Sequence, residues 1–303
     1  MDPYLANLGV LVALNALLAL SVNLVTGYAG QIAFGHAAFL GIGAYTSALL
    51  TTRAGLPFLG ALICAGIVGA TAGALLGIPS LRIRGDFLAI ASIGVNFVVV
   101  SIFQYTEFFG GALGISRIPA PTFFGWGRIG VSGFLALAAL LLLAGMAVSW
   151  WVSAAWLGLA FRAVRADEGA AEAMGVNVAA HKVAAFALST GLAGLGGSLY
   201  AHYLTTITPE DFGFLRSIEM FVYAAGGGFG TVRGPVVGAA VLTLLPEVLR
   251  FMEDYRLLVY GAVLVLVMFV EPRGLLGDGS RVWTWCTRAA AWGRSRFASW
   301  SSR

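Results

Sequence analysis

The sequence predicts an all-α, polytopic transmembrane helical bundle with about eight or nine membrane segments, some broken or re-entrant. Three observations predict it. Hydrophobic residues make up 59% of the chain and charged residues only 11%, against roughly 25% charged in a soluble domain. Apolar runs repeatedly reach the roughly 20 residues needed to cross a hydrocarbon core. One charged, Ala/Gly-rich stretch, 161–182, interrupts them and must lie in water.

In chain order, apolar runs mark segments at 5–26, 36–52, 56–78, 86–106, 131–155, 182–204, 215–228, 234–250 and 256–271. Those at 36–52, 215–228 and 234–250 are short for full spans and read as tilted, broken or re-entrant. Two are broken by glycine, one in each half: Gly27 through Gly35-His36, and Gly226-Gly227-Gly228-Phe229-Gly230 through Gly234-Pro235. Interrupted helices in both halves point to a transport path; tight reversals between packed helices explain them equally well. Between the fifth and sixth segments, 161–182 fits a short helix with Asp167 and Glu168 in its first turn and Gly175 as its stop. Residues 191–201 put Gly194, Gly197, Ser198 and Ala201 on one helical face, which suits close helix packing. The tail, 278–303, mixes Trp283, Trp285, Trp292 and Trp300 with Arg and Ser, a composition suited to the lipid headgroup region. The chain therefore divides into a membrane domain, 1–277, and a basic Trp/Arg-rich tail, 278–303.

Charge gives an orientation. If 161–182 faces the cytoplasm and the segments alternate, twelve Arg and Lys residues lie inside and six outside, the bias the positive-inside rule requires. If 215–250 re-enters from outside, Arg233 changes sides and the count is eleven to seven, with the same sign. The C-terminus is then also cytoplasmic. This distribution accounts for the net charge of +4 without nucleic acid.

Several chemistries find no support. Lys182, the only Lys, lies between His181 and Val183, so no Walker A loop is present. His36, His181 and His202 form no HExxH pattern, and there is no GxSxG elbow. The acid pairs Asp167-Glu168, Glu210-Asp211 and Glu253-Asp254 fall at segment edges. No catalytic or metal residue is assigned. The candidates that remain are polar groups and glycines at membrane depth, where polarity is costly and tends to face a cavity or partner: Asn23, Gln31, His36, Asn96, Glu219, Gly228 and Gly230. Glu219 reads equally as an interfacial acid paired with Arg216 at i, i+3. His36 also reads as a helix start, and Asn96 as a bond to a neighbouring helix.

LSVNLVTGYAGQIAFGHAAFLGIGAYTSALL (20–50), LRIRGDFLAI (81–90), GGALGISRIPAP (110–121), RAVRADEGAAEAMGVNVAAHKVAAFALSTGLAGLGGSLYAHY (162–203), FGFLRSIEMFVYAAGGGFGTVRGPVVGAA (212–240) and VEPRGLLG (270–277) occur in this order. Together they resemble the membrane permeases of branched-chain amino-acid ABC importers, the M-type subunit more than its H-type partner. The resemblance implies a bacterial inner-membrane permease that moves branched-chain or related small amino acids by alternating access. It implies a heterodimer with an H-type permease, two ABC ATPase subunits, an extracytoplasmic binding protein and surrounding membrane lipid. ATP and Mg would reside in the partner ATPase and no cofactor in this chain. Segment 165–178 matches the loop that seats in the ATPase, with Arg165, Asp167, Glu168 and Glu172 as polar contacts, Gly175 as a turn, and Glu168 at the most exposed point of the short helix. Gly169 and Ala170 stand where bulkier residues are expected, and Phe229 and Arg233 where smaller or less charged ones are; the tail has no counterpart. Relatives that carry urea and short amides leave the substrate open. An ion-coupled secondary transporter leaves 161–182 unexplained, and an intramembrane transferase needs a clustered constellation that is not visible.

Overall fold

The computed structural model describes residues 3–80, 86–121, 130–248 and 274–277, with the single positions 261, 265 and 269. The body of the segment expected at 256–271, Arg82, Arg84 and the tail 278–303 lie outside the described residues. The described chain is helical and forms a membrane bundle, its only extended pairing among the described residues being an isolated bridge between Ile115 and Ile207.

Helix α1 (Pro3–Val22) runs without interruption into a π-helical turn, Asn23–Tyr28, giving an apolar span of 26 residues. An irregular segment then leads to α2 (His36–Thr52), α3 (Phe58–Ser80), α4 (Asp86–Tyr105) and α5 (Val131–Ala154). Two short helices follow, α6 (Trp156–Ala166) and α7 (Glu168–Ala173), and then α8 (Val178–Leu204), α9 (Phe214–Gly227) and α10 (Arg233–Val248). Among the described residues five helices, α1 with its π turn, α3, α4, α5 and α8, are long and apolar enough to cross a membrane. The sequence-predicted segments correspond to these helices within a few residues. The difference is α6: the sequence reading ends the fifth segment at 155 and starts the aqueous stretch at 161, whereas a single extended residue, Ala155 (φ −83°, ψ 168°), breaks α5 and a new helix begins at once.

α1 and α8 form the interior. Of their apolar windows 78% and 61% are buried, against 22% to 33% for α3, α4 and α5. The outer three present large apolar side chains, among them Ile63, Ile67, Phe87, Ile90, Leu140 and Leu143, as lipid contact favours. The seam between α8 and its neighbours is made of small residues. A Cβ on Gly43 of α2 would fall against the backbone of Gly194, and one on Gly69 of α3 would meet the Thr190 carbonyl at 2.7 Å. Backbones this close require glycine, and dispersion across the seam replaces the hydrophobic drive that lipid cannot supply. The expected face of Gly194, Gly197 and Ser198 is this packing surface, with Ser198 joined to Ser47 at 2.7 Å.

The chain between α8 and α9 dips into the bundle. Ile115 and Ile207 exchange backbone hydrogen bonds at 3.0 and 2.9 Å, and Phe212 is fully buried beside the rings of Tyr45 and Phe103. Asn96, midway along α4, donates to the Phe212 carbonyl at 3.1 Å, and Arg216 of α9 donates to Asn15, midway along α1, at 3.0 Å. α9 therefore starts halfway through the bundle. Its 14 residues carry it about 21 Å to the end where α7 lies. α10 returns, meeting Asn15 through Thr243 at 3.0 Å and Tyr4 through Glu247. The two make a hairpin whose tip, with Arg233, lies at the α7 end; α9 is a half-length, broken segment, and Arg233 does not change sides.

Candidate functional site

The glycine breaks, read separately in the two halves of the sequence, meet in space. The π turn at the end of α1 directs Asn23, which is fully buried, at the tip between α9 and α10. Its Oδ1 accepts from the Gly230 N–H and its Nδ2 donates to the Thr231 carbonyl, both at 2.8 Å. Gly230 (φ +81°) and Gly228 (φ +114°) hold backbone conformations that side chains resist. Residues 274–277 close the same tip: the Leu275 and Leu276 N–H groups donate to the Gly226 and Gly227 carbonyls at 3.0 and 2.9 Å, completing the end of α9.

The charged cluster sits beside these breaks. Arg165, in the last turn of α6, donates through Nη1 to the Gly27 carbonyl on the π turn, and its aliphatic stem lies over Gly30, where a Cβ would stand 2.6 Å from Cγ. Asp167 is the N-cap of α7, its Oδ1 accepting from the Ala170 N–H at 2.9 Å. Gly175 (φ +84°) ends α7, with the Val176 N–H reaching back to the Ala171 carbonyl at 3.0 Å.

Glu168 departs from expectation. It does not occupy the exposed point of the helix but turns inward: its Oε1 meets Lys182 Nζ at 2.7 Å and accepts from Gln31 Nε2 at 3.4 Å. Lys182 is 2% exposed and Glu168 30%. The physical reason is Lys182, which opens α8 on the buried side; an ammonium out of water needs a counter-charge, and Glu168 is the one α7 supplies. The outward face of α7 is instead Gly169, Ala170, Glu172 and, beyond its end, Met174, 85% exposed. Met174 carries no charge or motif signal, and only its position just before a left-handed glycine sets it apart in the sequence.

The remaining candidates are spread through the bundle. Gln31 belongs to the Glu168 group. His36, α2's first residue and almost fully buried, does not cap the helix through its side chain: its Nε2 pairs with Ser189 Oγ at 2.7 Å, and Ser189 donates to the Ser21 carbonyl at 2.5 Å. Asn96 bonds the last carbonyl of a short 3-10 helix, Pro209–Phe212, in the dipping chain. Glu219 is paired with Arg216 at 2.7 Å and is 47% exposed, which is the ion-pair reading; Arg216 in turn ties α9 to Asn15. A polar chain that sequence reading left out joins Ser47 to His202 at 3.0 Å and His202 Nδ1 to the Pro119 carbonyl at 2.7 Å. Phe229, unexpected by resemblance, packs on Phe221 with ring centroids 5.2 Å apart. Among the described residues no three His, Cys, Asp or Glu side chains gather as a metal site.

A bundle with a half-helix, two linked glycine breaks and a short charged helix at one end has the parts of a permease, and comparison with known proteins agrees. The high-affinity branched-chain amino acid transport system permease protein LivM of Salmonella typhimurium is 37% identical over 284 residues, covering 86% of this chain and 67% of the relative. LivM of Escherichia coli is 36% identical with the same coverage. LivH of Salmonella typhimurium is 25% identical over 288 residues, 86% of this chain and 91% of the relative. No solved structure is a significant match. The sequence profile described as "Branched-chain amino acid transport system / permease component" matches residues 4–268, and the chain belongs to that permease family.

Proposed function

We propose that this chain is one permease subunit of an ATP-driven importer of branched-chain amino acids, an M-type subunit paired with an H-type one in a bacterial inner membrane. The observation that carries this is α7. It is only six residues long, too short to be stable alone, yet it is N-capped, anchored inward through Glu168 and left open outward at Glu172 and Met174. A helix held in place with a free outer face is built to meet another protein. On this reading ATP hydrolysis belongs to that partner.

The α7 end is cytoplasmic on this reading. Arg233, at the tip of the α9–α10 hairpin, then lies inside and the basic residues divide twelve to six, in the direction the positive-inside rule requires. Asp167, Glu172, Gly175 and Met174 form this chain's docking surface for one of the two ABC ATPase subunits. The exposed apolar faces of α3, α4 and α5 meet the second permease and lipid, and a binding protein delivers substrate at the opposite end. Asn23, Gln31, His36, Asn96, Glu219, Gly228 and Gly230 are assigned to the translocation path or its support, with the linked breaks at its inner end. Transport proceeds by alternating access. The substrate follows from what the relatives' names record; the names LivM and LivH favour amino acids over urea or amides.

The test is purification of the tagged chain from its own cell in mild detergent, with mass spectrometry of what accompanies it. An ABC ATPase and a second permease are expected. Recovery of the chain alone, under conditions that keep a known importer intact, overturns the reading.

A further inference from the structure

Three stretches far apart in sequence are joined at the α7 end by charged and amide side chains. Arg165 links α6 to the π turn at Gly27. Glu168 links α7 to the first turns of α8 through Lys182 and to the segment after the π turn through Gln31. Asn23 links the π turn to Gly230 and Thr231. Arg165 also borders the second break directly, since a Cβ on Gly230 would stand 3.3 Å from Nη1. The links join α6–α7 to the first break, and the first break to the second, with Arg165 touching both.

We propose that Arg165, Glu168, Lys182 and Asn23 are positioning residues that carry displacement of the α6–α7 pair to both glycine breaks, so that the inner ends of α1 and of the α9–α10 hairpin move together. This rests on the importer reading above. It divides the charged cluster in two. Arg165, exposed but bonded to Gly27, and the half-buried Glu168 contact the membrane helices and transmit; Glu172 and Met174 make no such contact and dock.

The choice of chemistry supports the division. An apolar residue in place of Lys182 would avoid desolvating an ammonium, and buried ion pairs are commonly no more stable than apolar packing. What this pair, buried on its Lys182 side, supplies on this proposal is a fixed geometry between α7 and α8. The π turn acts in the same sense: π geometry commonly marks a functional site within a helix, and here it aims Asn23 at one break and the Gly27 carbonyl at Arg165. The two breaks share one amide, so neither can shift against the other without losing both 2.8 Å bonds.

The test uses the whole complex, with both permeases, the ATPases and the binding protein, in proteoliposomes, and measures leucine taken up per ATP hydrolysed. Arg165→Gln and Glu168→Gln are each expected to keep their ATPase subunits at wild-type stoichiometry while the ratio falls about tenfold. Glu168→Lys combined with Lys182→Glu, which reverses the buried pair, is expected to recover much of the ratio lost in Glu168→Lys alone; a residue acting by contact with the ATPase would not be rescued from α8. Loss of the ATPase from the Glu168→Gln complex makes Glu168 a docking contact and overturns the proposal. So does an unchanged ratio in both Gln variants, which decide the matter even if the reversed pair does not assemble. A wild-type complex that carries no ATPase defeats the importer reading itself, whereas coupled wild type with coupled Gln variants defeats only this inference.

Discussion

Asn23 clasps Gly230 across the bundle, and with the same amide holds the next carbonyl, that of Thr231. The two residues come from opposite halves of the chain. The buried amide satisfies a peptide N–H and a peptide C=O that an irregular turn inside a membrane protein would otherwise leave without partners.

Replacing Asn23 with Leu keeps the size and removes both bonds. Each buried group left unpaired costs about 1–3 kcal/mol, so with two groups stranded Asn23→Leu is expected to lower stability by about 2–6 kcal/mol. Thermal melting of the purified chain in detergent measures it; a melting temperature equal to wild type contradicts it.

Gly43 and Gly94 separate packing from helix propensity. Gly43→Ala puts a methyl against the Gly194 backbone, which cannot rotate away, and overpacking of this kind costs about 1–3 kcal/mol. Gly94→Ala meets nothing within 4 Å and is expected to be neutral, or stabilising by up to about 1 kcal/mol. Folded yield and melting temperature of the two variants should diverge in that order.

Gly230→Leu forces a branched side chain into a left-handed conformation, at about 1–2 kcal/mol, and pushes it toward the Arg165 guanidinium. Uptake by the assembled importer is expected to be lost at normal expression. Normal uptake would separate this break from transport.

Met174→Glu tests docking without touching the bundle, since the side chain is 85% exposed. The melting temperature of the isolated chain should not change, while retention of the ATPase during purification should fall about tenfold, the loss of roughly 1.4 kcal/mol of apolar contact. Undiminished retention removes Met174 from the interface.

Arg216 and Glu219 form one ion pair, but their removal should differ. Glu219 is 47% exposed, and an open pair contributes at most about 1 kcal/mol. Arg216→Leu also strips Asn15 of its donor and should cost about 1–3 kcal/mol. Equal melting temperatures for Glu219→Gln and Arg216→Leu would mean that the Asn15 contact contributes nothing.

Much of the fold was legible because long apolar runs are punctuated by charge, glycine or proline; α2 begins and ends where the run from His36 to Thr52 does. α6 was missed because nothing of that kind stands at Ala155: the chain bends in one extended residue and apolar spacing resumes at Trp156. Within the candidate site the residue types were legible and their directions were not. The spacing of Asp167, Glu168 and Glu172 does not say which side of a six-residue helix looks inward; the position of Lys182 on α8 decides that. Glycine marked both breaks, but their meeting depends on Asn23 reaching across 207 positions of sequence, a separation that no local pattern encodes.

The hydrogen bonds from Leu275 and Leu276 to the Gly226 and Gly227 carbonyls set an order of maturation. α9 emerges during synthesis well before the residues that finish it, so a nascent or truncated chain ending ahead of Leu275 carries a helix with naked carbonyls at its tip. The hairpin cannot reach its final shape until the C-terminal segment has been made and threaded back. Reporter fusions meant to map topology from within the last membrane elements will therefore sample an unfinished molecule.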